Sequence, residues 1–178
     1  VDVHATLCEQ FSVTPKHRTH GRSLVPVLNG TGTSGRDHLL TGIYGRDLTY
    51  VDRERRFSRA PNGANRPLSL FSNRWSTMPV HALPQVRLPK PDQRAYLDTM
   101  PGSEVPVLRQ PFGVNDPIPF WSTNPGLLGD QLFARLDDPN EQDNRVGDRS
   151  EREALDAMAE ALRAIEAPVE QLVRLGLA

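Results

Sequence analysis

A single cysteine, Cys8, excludes an internal disulfide framework. Long apolar runs are missing as well. No stretch approaches the roughly 20 consecutive apolar residues that a helix needs to cross a bilayer, so no membrane span is expected, and no signal-peptide pattern opens the sequence. Charge of either sign is not in surplus. Lys and Arg number 21 against 22 Asp and Glu, a formal net charge of −1. Neutralising nucleic-acid phosphates takes cations gathered on one face, so no nucleic-acid partner is expected. The nearest approach, Arg53, Arg55, Arg56 and Arg59, is broken by Glu54 and reads as a solvated turn and strand edge.

What remains is enough for one domain or one large subdomain of 178 residues. The 16 prolines and 13 glycines stay well below the level that marks low-complexity disorder. Val3, Leu7 and Phe11 recur at i, i+4 and i+8, the stripe of an amphipathic helix that Pro15 terminates. A polar, basic stretch over residues 16–22 leads into Ser23-Leu24-Val25-Pro26-Val27-Leu28, closed by Asn29-Gly30, with a turn-rich link over 31–35. Because the sequence opens at Val1 inside this helical pattern and without a methionine, it is expected to be a piece of a longer protein.

The period then changes. Leu39, Leu40, Ile43 and Tyr44, then Leu48-Thr49-Tyr50-Val51, then Arg56-Phe57-Ser58-Arg59 after the turn residues Asp52-Arg53-Glu54, predict an antiparallel meander of three short strands over about 37–59. A further strand is predicted over 131–136, stopped at Asp138-Pro139 because proline cannot continue a ladder. Twelve of the 16 prolines fall in residues 60–125, the other four being Pro15, Pro26, Pro139 and Pro168. That stretch reads as a long loop serving a surface or a site. Leu68-Ser69-Leu70-Phe71 is suited to an edge strand there, and residues 92–100 to a helical turn or two.

The chain closes on two helices, over about 151–166 and 168–175. Ser150 and Glu153 have the spacing of a reciprocal capping box. Leu155, Met158, Leu162 and Ile165 line one face of the first helix. Pro168 ends it and opens the second, with Val169, Leu172 and Val173 inside and Gly176 near its end.

Two runs resemble the carboxy-terminal part of sulfatases, in the alkaline-phosphatase-like superfamily. The family run V-D-[IV]-x-P-T-L, followed by G-x-S-L-x-P-x-L-x-G, is matched by Val1, Asp2, Val3, Thr6 and Leu7, then Gly21, Ser23, Leu24, Pro26, Leu28 and Gly30, with Ala5 in place of the proline. The closing run L-Y-D-L-x-x-D-P-x-E-x-x-N-L is matched by Leu132-Phe133, Asp138-Pro139, Glu141 and Asn144, with departures at Ala134, Arg135 and Arg145. Residues 36–59 also resemble the family's segment of two strands, an Asp-containing turn and a third strand. The usual Asp-Gly turn is Asp52-Arg53 here, which predicts a less tight hairpin loop. The resemblance implies an α+β segment. Residues 1–35 would be the last helix and link of an alkaline-phosphatase-like α/β domain, and residues 36–178 a carboxy-terminal subdomain with a small antiparallel sheet and a helix packed on it.

The resemblance further implies a sulfuric ester hydrolase whose nucleophile, a formylglycine made from Cys or Ser in C/S-x-P-x-R, and whose divalent metal, calcium, belong to an amino-terminal catalytic part outside this chain. That part would be the chain's partner, and the parent's substrate a small-molecule sulfate ester. No metal is expected in this segment and no catalytic residue. Around Cys8, the positions that would need Pro and Arg are Gln10 and Ser12, and Cys8 reads as a small buried or half-buried side chain. Asp137 and Asp138 could pair for acid–base work, but read as part of the closing turn. His17 and His20, spaced H-x-x-H beside Arg18 and Arg22, are candidates for contact with an anion or a metal, set against a solvated loop because no carboxylate or thiol stands at ligand spacing beside them. Arg74, Trp75 and His81 place a guanidinium, an indole and an imidazole on one proline-bounded loop, a combination suited to an aromatic sulfate ester; the competing reading is a packed loop anchor. Two further readings stand beside the sulfatase: a phosphodiesterase or phosphonate monoester hydrolase of the same superfamily, and a non-catalytic interaction module presenting Trp75 and Trp121.

Overall fold

The computed structural model describes residues 1–16, 18–32, 36–63, 65–72, 93–100, 103–116 and 129–178. They fall into two units, residues 1–37 with 99–105 and residues 38–98 with 106–178. The chain is mixed α+β, with two small antiparallel sheets and a helical carboxy terminus.

In the first unit, α1 (Asp2–Gln10) precedes a single helical turn, α2 (Val25–Leu28), which Pro26 opens. α1 stops before Pro15 is reached, at a Ser12 in the left-handed region with φ 54°. It buries none of its residues. Val3, Leu7 and Phe11, the predicted apolar stripe, are 67%, 51% and 73% exposed.

The second unit opens with the predicted meander, β1 (His38–Gly42), β2 (Leu48–Asp52) and β3 (Arg55–Arg59). β7 (Gln131–Ala134) adds on β3, giving the antiparallel order β1-β2-β3-β7. Side chains alternate between faces, so the register aligns Leu40, Tyr50, Phe57 and Leu132 in one row across the four strands. The β2–β3 connection is tighter than expected. Only Arg53 and Glu54 lie between the strands, because the Asp52 carboxylate accepts the N–H groups of Glu54 and Arg55 at 2.8 and 2.7 Å and closes the turn itself.

α3 (Arg149–Ala164) and α4 (Val169–Leu175) supply the other side of the core. Ala154, Met158, Ala159, Ala161 and Leu162 of α3, with Leu172, Leu175 and Leu177, form one cluster with Tyr50, Phe57 and Leu132. The face is rotated from the predicted one. Alanines bring α3 down on the sheet, while Leu155 is half-buried and Ile165, at the C-cap, is 39% exposed. The capping box also differs. The N-cap is Asp148, and Glu151, not Glu153, reaches back, accepting the Gly147 N–H at 2.8 Å. α4 ends as predicted at Gly176, in the left-handed conformation, where the Leu177 and Gly176 N–H groups return to the carbonyls of Leu172 and Val173.

Residues 60–125 are not one loop. β4 (Ser69–Ser72), β5 (Tyr96–Thr99) and β6 (Pro106–Pro111) form a second sheet in the order β4-β6-β5. β4 is the anticipated edge strand. β5 replaces the anticipated helical turn, and β6 tolerates its prolines because they stand at its two ends.

Candidate functional site

His17, Arg74, Trp75 and His81, together with Trp121, lie outside the described residues. His20 and Arg22 are described, and both are exposed. The fold uses their backbones. The Arg22 N–H donates to Asp2 Oδ1 at 2.8 Å, and the His20 carbonyl accepts from Arg36 Nη2 at 2.8 Å.

Those bonds belong to a polar clasp built by the first sequence run. Asp2 and Thr6 stand one turn apart on α1 and so share a face. Asp2 receives Arg36 through both oxygens, Nε to Oδ2 at 2.8 Å and Nη2 to Oδ1. Thr6 Oγ1 donates to the Asp2 carbonyl at 2.7 Å and accepts the Leu24 N–H at 2.9 Å. The returning chain passes so close that a Cβ on Gly21 would stand 2.5 Å from the Val1 carbonyl oxygen. Ser23 Oγ then accepts the Val25 N–H at 3.2 Å, opening α2. The Arg36 guanidinium and the Arg22 amide hold the Asp2 carboxyl well below the usual carboxylate range.

The second run builds the turn that closes β7. Asp138 accepts the Asp143 N–H at 2.9 Å, and backbone donors from Asp143 and Gln142 lower its carboxyl. The carboxylate here closes the turn. Glu141 takes Arg56 bidentately, with both bonds at 2.7 Å, while the same guanidinium lies 5.2 Å over the Phe133 ring and reaches Ser58 Oγ at 3.0 Å. Asn144 Oδ1 accepts the Leu132 N–H at 2.9 Å, and the Arg145 N–H donates to the Leu132 carbonyl at 2.8 Å. The outer edge of β7 is thereby covered by its own turn.

The chain matches no protein-family model and no curated protein.

Sequence reasoning missed a third polar grouping, between α4 and the second sheet. Glu170 and Arg174 are 7% and 3% exposed, whereas Val169 and Val173 of the same helix are 70% and 43% exposed. Arg174 donates to Asn65 Oδ1 at 3.0 Å, to the Arg46 carbonyl at 2.8 Å and to Gln171 Oε1. Glu170 accepts from Arg109 and Ser69 on the second sheet. The Tyr44 hydroxyl donates to the Ser69 carbonyl, and burial, reinforced by the Glu170 carboxylate, holds this phenol un-ionised far above its usual range. Only the i, i+4 spacing of a Glu and an Arg on a short helix could have pointed here, and that spacing ordinarily marks a solvated face.

Beside β7 and the start of α3 lies a cleft of about 270 Å³ with Leu132, Phe133 and Leu136 in its wall and Arg55, Arg145 and Glu153 at its rim. Its guanidiniums already face carboxylates: Arg55 stands 3.1 Å from Asp52 and 3.8 Å from Glu153, and Arg145 stands 3.8 Å from Asp143. Cys8 is half-buried, with its sulfur 3.7 Å from His4 Nε2. Among the described residues no three His, Cys, Asp or Glu side chains are grouped so as to hold a metal ion.

Proposed function

We propose that this chain is the carboxy-terminal segment of a sulfuric ester hydrolase of the sulfatase type, completing the fold of an alkaline-phosphatase-like enzyme and carrying none of its catalytic groups. In this reading residues 1–35 end the α/β domain, and the two sheets with their helices form the subdomain that follows it. The nucleophilic formylglycine and the divalent metal, calcium, reside in the amino-terminal catalytic part. Those groups would supply the nucleophile for sulfur and the positive charge that stabilises its oxygens, and no residue of this chain is assigned to hold them. Arg74, Trp75 and His81 stay candidates for the wall of the substrate pocket.

One observation carries the reading. In both runs that resemble the family, the matching polar residues are those whose side chains tie the local chain together: Asp2, Thr6 and Ser23 in the first, Asp138, Glu141 and Asn144 in the second. A chance match of residue types carries no such requirement. The exposed Val3, Leu7 and Phe11 of α1 are the surface expected under a neighbouring catalytic part.

The test is hydrolysis of an aryl sulfate by the full-length gene product, beside a variant in which the Cys or Ser of C/S-x-P-x-R is replaced by Ala. Loss of turnover in the variant, by about a thousandfold or more as for other covalent nucleophiles, supports the proposal. Equal rates for the two proteins, or a gene without that motif, sink it.

A further inference from the structure

The two sheets are fastened to the carboxy-terminal helices by different means. Tyr50, Phe57 and Leu132 of the first sheet share one apolar cluster with α3 and α4. Leu68, Leu108 and Phe112, the buried apolar residues in and beside the second sheet, lie outside that cluster. The second sheet meets α4 at a buried carboxylate. The Glu170 side chain is 6% exposed. Its Oε2 accepts from Ser69 Oγ on β4 at 2.8 Å and from Arg109 Nη2 on β6 at 2.7 Å. Its Oε1 is buried with no hydrogen-bond partner. Among the described residues, the hydrogen bonds to this carboxylate come from the second sheet, although the helix carrying it is anchored by Leu172 and Leu175 in the core under the first.

Arg109 is prepared for this contact. Asp98 of β5 accepts from its Nη1 at 3.0 Å, and the Phe71 and Tyr96 rings hold its guanidinium at 5.2 and 5.6 Å from their centres. All three strands of the sheet thus converge on one cation. The other charged neighbour on α4, Arg174, is directed to Asn65 and the Arg46 carbonyl, and Tyr44 donates to the Ser69 carbonyl. A desolvated carboxylate with one oxygen unsatisfied is costly by itself and is held in place only by its partner.

We propose that Glu170 and Arg109 form a latch, so that the second sheet opens from α4 as a unit while the first sheet, α3 and α4 stay folded. Opening rehydrates both charges and separates few apolar groups of the main core. The second sheet is then a sub-globally opening element whose closed population is set by one ion pair.

Amide hydrogen exchange on the intact protein, resolved by peptide, tests this. In Glu170→Ala, amides of residues 69–72 and 107–110 are expected to exchange about 10- to 100-fold faster, the loss that follows from leaving a buried ionic partner uncompensated, while residues 48–59 and 149–164 keep their wild-type rates. Arg109→Lys keeps the charge but not the fork and should give a smaller rise confined to the same peptides. The double variant E170M/R109M removes both charges and should restore much of the protection. A rise spread evenly over both sheets, or unchanged exchange in 69–72 and 107–110, overturns the latch. Failure of Glu170→Ala to fold, with Arg109→Lys exchanging like wild type, overturns it too. None of these outcomes depends on whether the parent is a sulfatase.

Discussion

The two antiparallel sheets are made of strands of similar length, yet one is glued and the other is tied. In the first, an in-register row of Leu40, Tyr50, Phe57 and Leu132 lies under α3 and α4, so its stability scales with apolar area removed from water. In the second, one face gathers Ser69, Phe71 and Arg109 around the Glu170 carboxylate. An apolar interface gives way by degrees, because many weak contacts share it. An ionic one depends on a few groups, each of which strands its partner when removed. One sheet is therefore a foundation and the other an attachment.

The largest expected effect tests the foundation. Phe57 is 0% exposed at the centre of the row, and Phe57→Ala should cost about 3–5 kcal/mol, the transfer of the ring plus the cavity left behind. The loss should appear in urea unfolding followed by far-ultraviolet circular dichroism as a single shifted transition, because α3 and α4 share the core. A transition split in two, with helical signal surviving loss of the first sheet, would break the comparison.

That core was largely legible in the sequence, and for a physical reason. The meander and α3 are held by apolar periodicity, and periodicity is a local property of the chain. The second sheet is not held that way. β6 lies between two prolines that read as loop residues, and β5 replaces an expected helical turn because Tyr96 and Asp98 serve Arg109 from an adjacent strand. On α4 the pattern misleads outright: Val169 and Val173 face solvent while Glu170 and Arg174 are buried, since what lies over that helix is polar. The capping box failed by a related mechanism. Ser150 and Glu153 had the right spacing, but Glu151 makes the bond to Gly147 and Glu153 faces Arg55 at 3.8 Å. Of the residues singled out as candidate sites, His20 and Arg22 contribute backbone groups, which no side-chain motif discloses.

A middle-sized effect sharpens the comparison at the edge of the first sheet. That edge combines both strategies, for β7 is glued through Leu132 and tied through the turn behind it. Asn144→Ala leaves the Leu132 N–H without its acceptor on a residue that is 2% exposed. The expected cost is about 1–2 kcal/mol, with faster exchange of the Leu132 amide and little change at Tyr50. If the Leu132 amide keeps its protection, the turn is not what covers the edge.

The smallest effect asks whether tying also works outside the second sheet. In the first unit α1 buries no residue, so its connection to the returning chain rests on polar bonds, chiefly those of Asp2 to Arg36 and to the Arg22 amide. Those donors lower the folded-state pKa of Asp2 below its ordinary value of 3.8. A carboxyl depressed in the folded state contributes stability that is fully present above its unfolded pKa and is lost as the pH falls through the folded one. Exchange of the Arg22 amide should therefore be protected and flat in its protection factor above about pH 4, and that protection should decline only on further acidification. In Asp2→Asn the decline should disappear and the protection above pH 4 should be lower throughout, because the amide oxygen accepts less strongly than a carboxylate and cannot pair with Arg36 as an ion. Thr6, which accepts the Leu24 N–H without titrating, supplies the internal control: the Leu24 amide should follow Arg22 in the variant only if the clasp opens as one piece. If Leu24 holds while Arg22 is lost, the first unit is tied at two independent points.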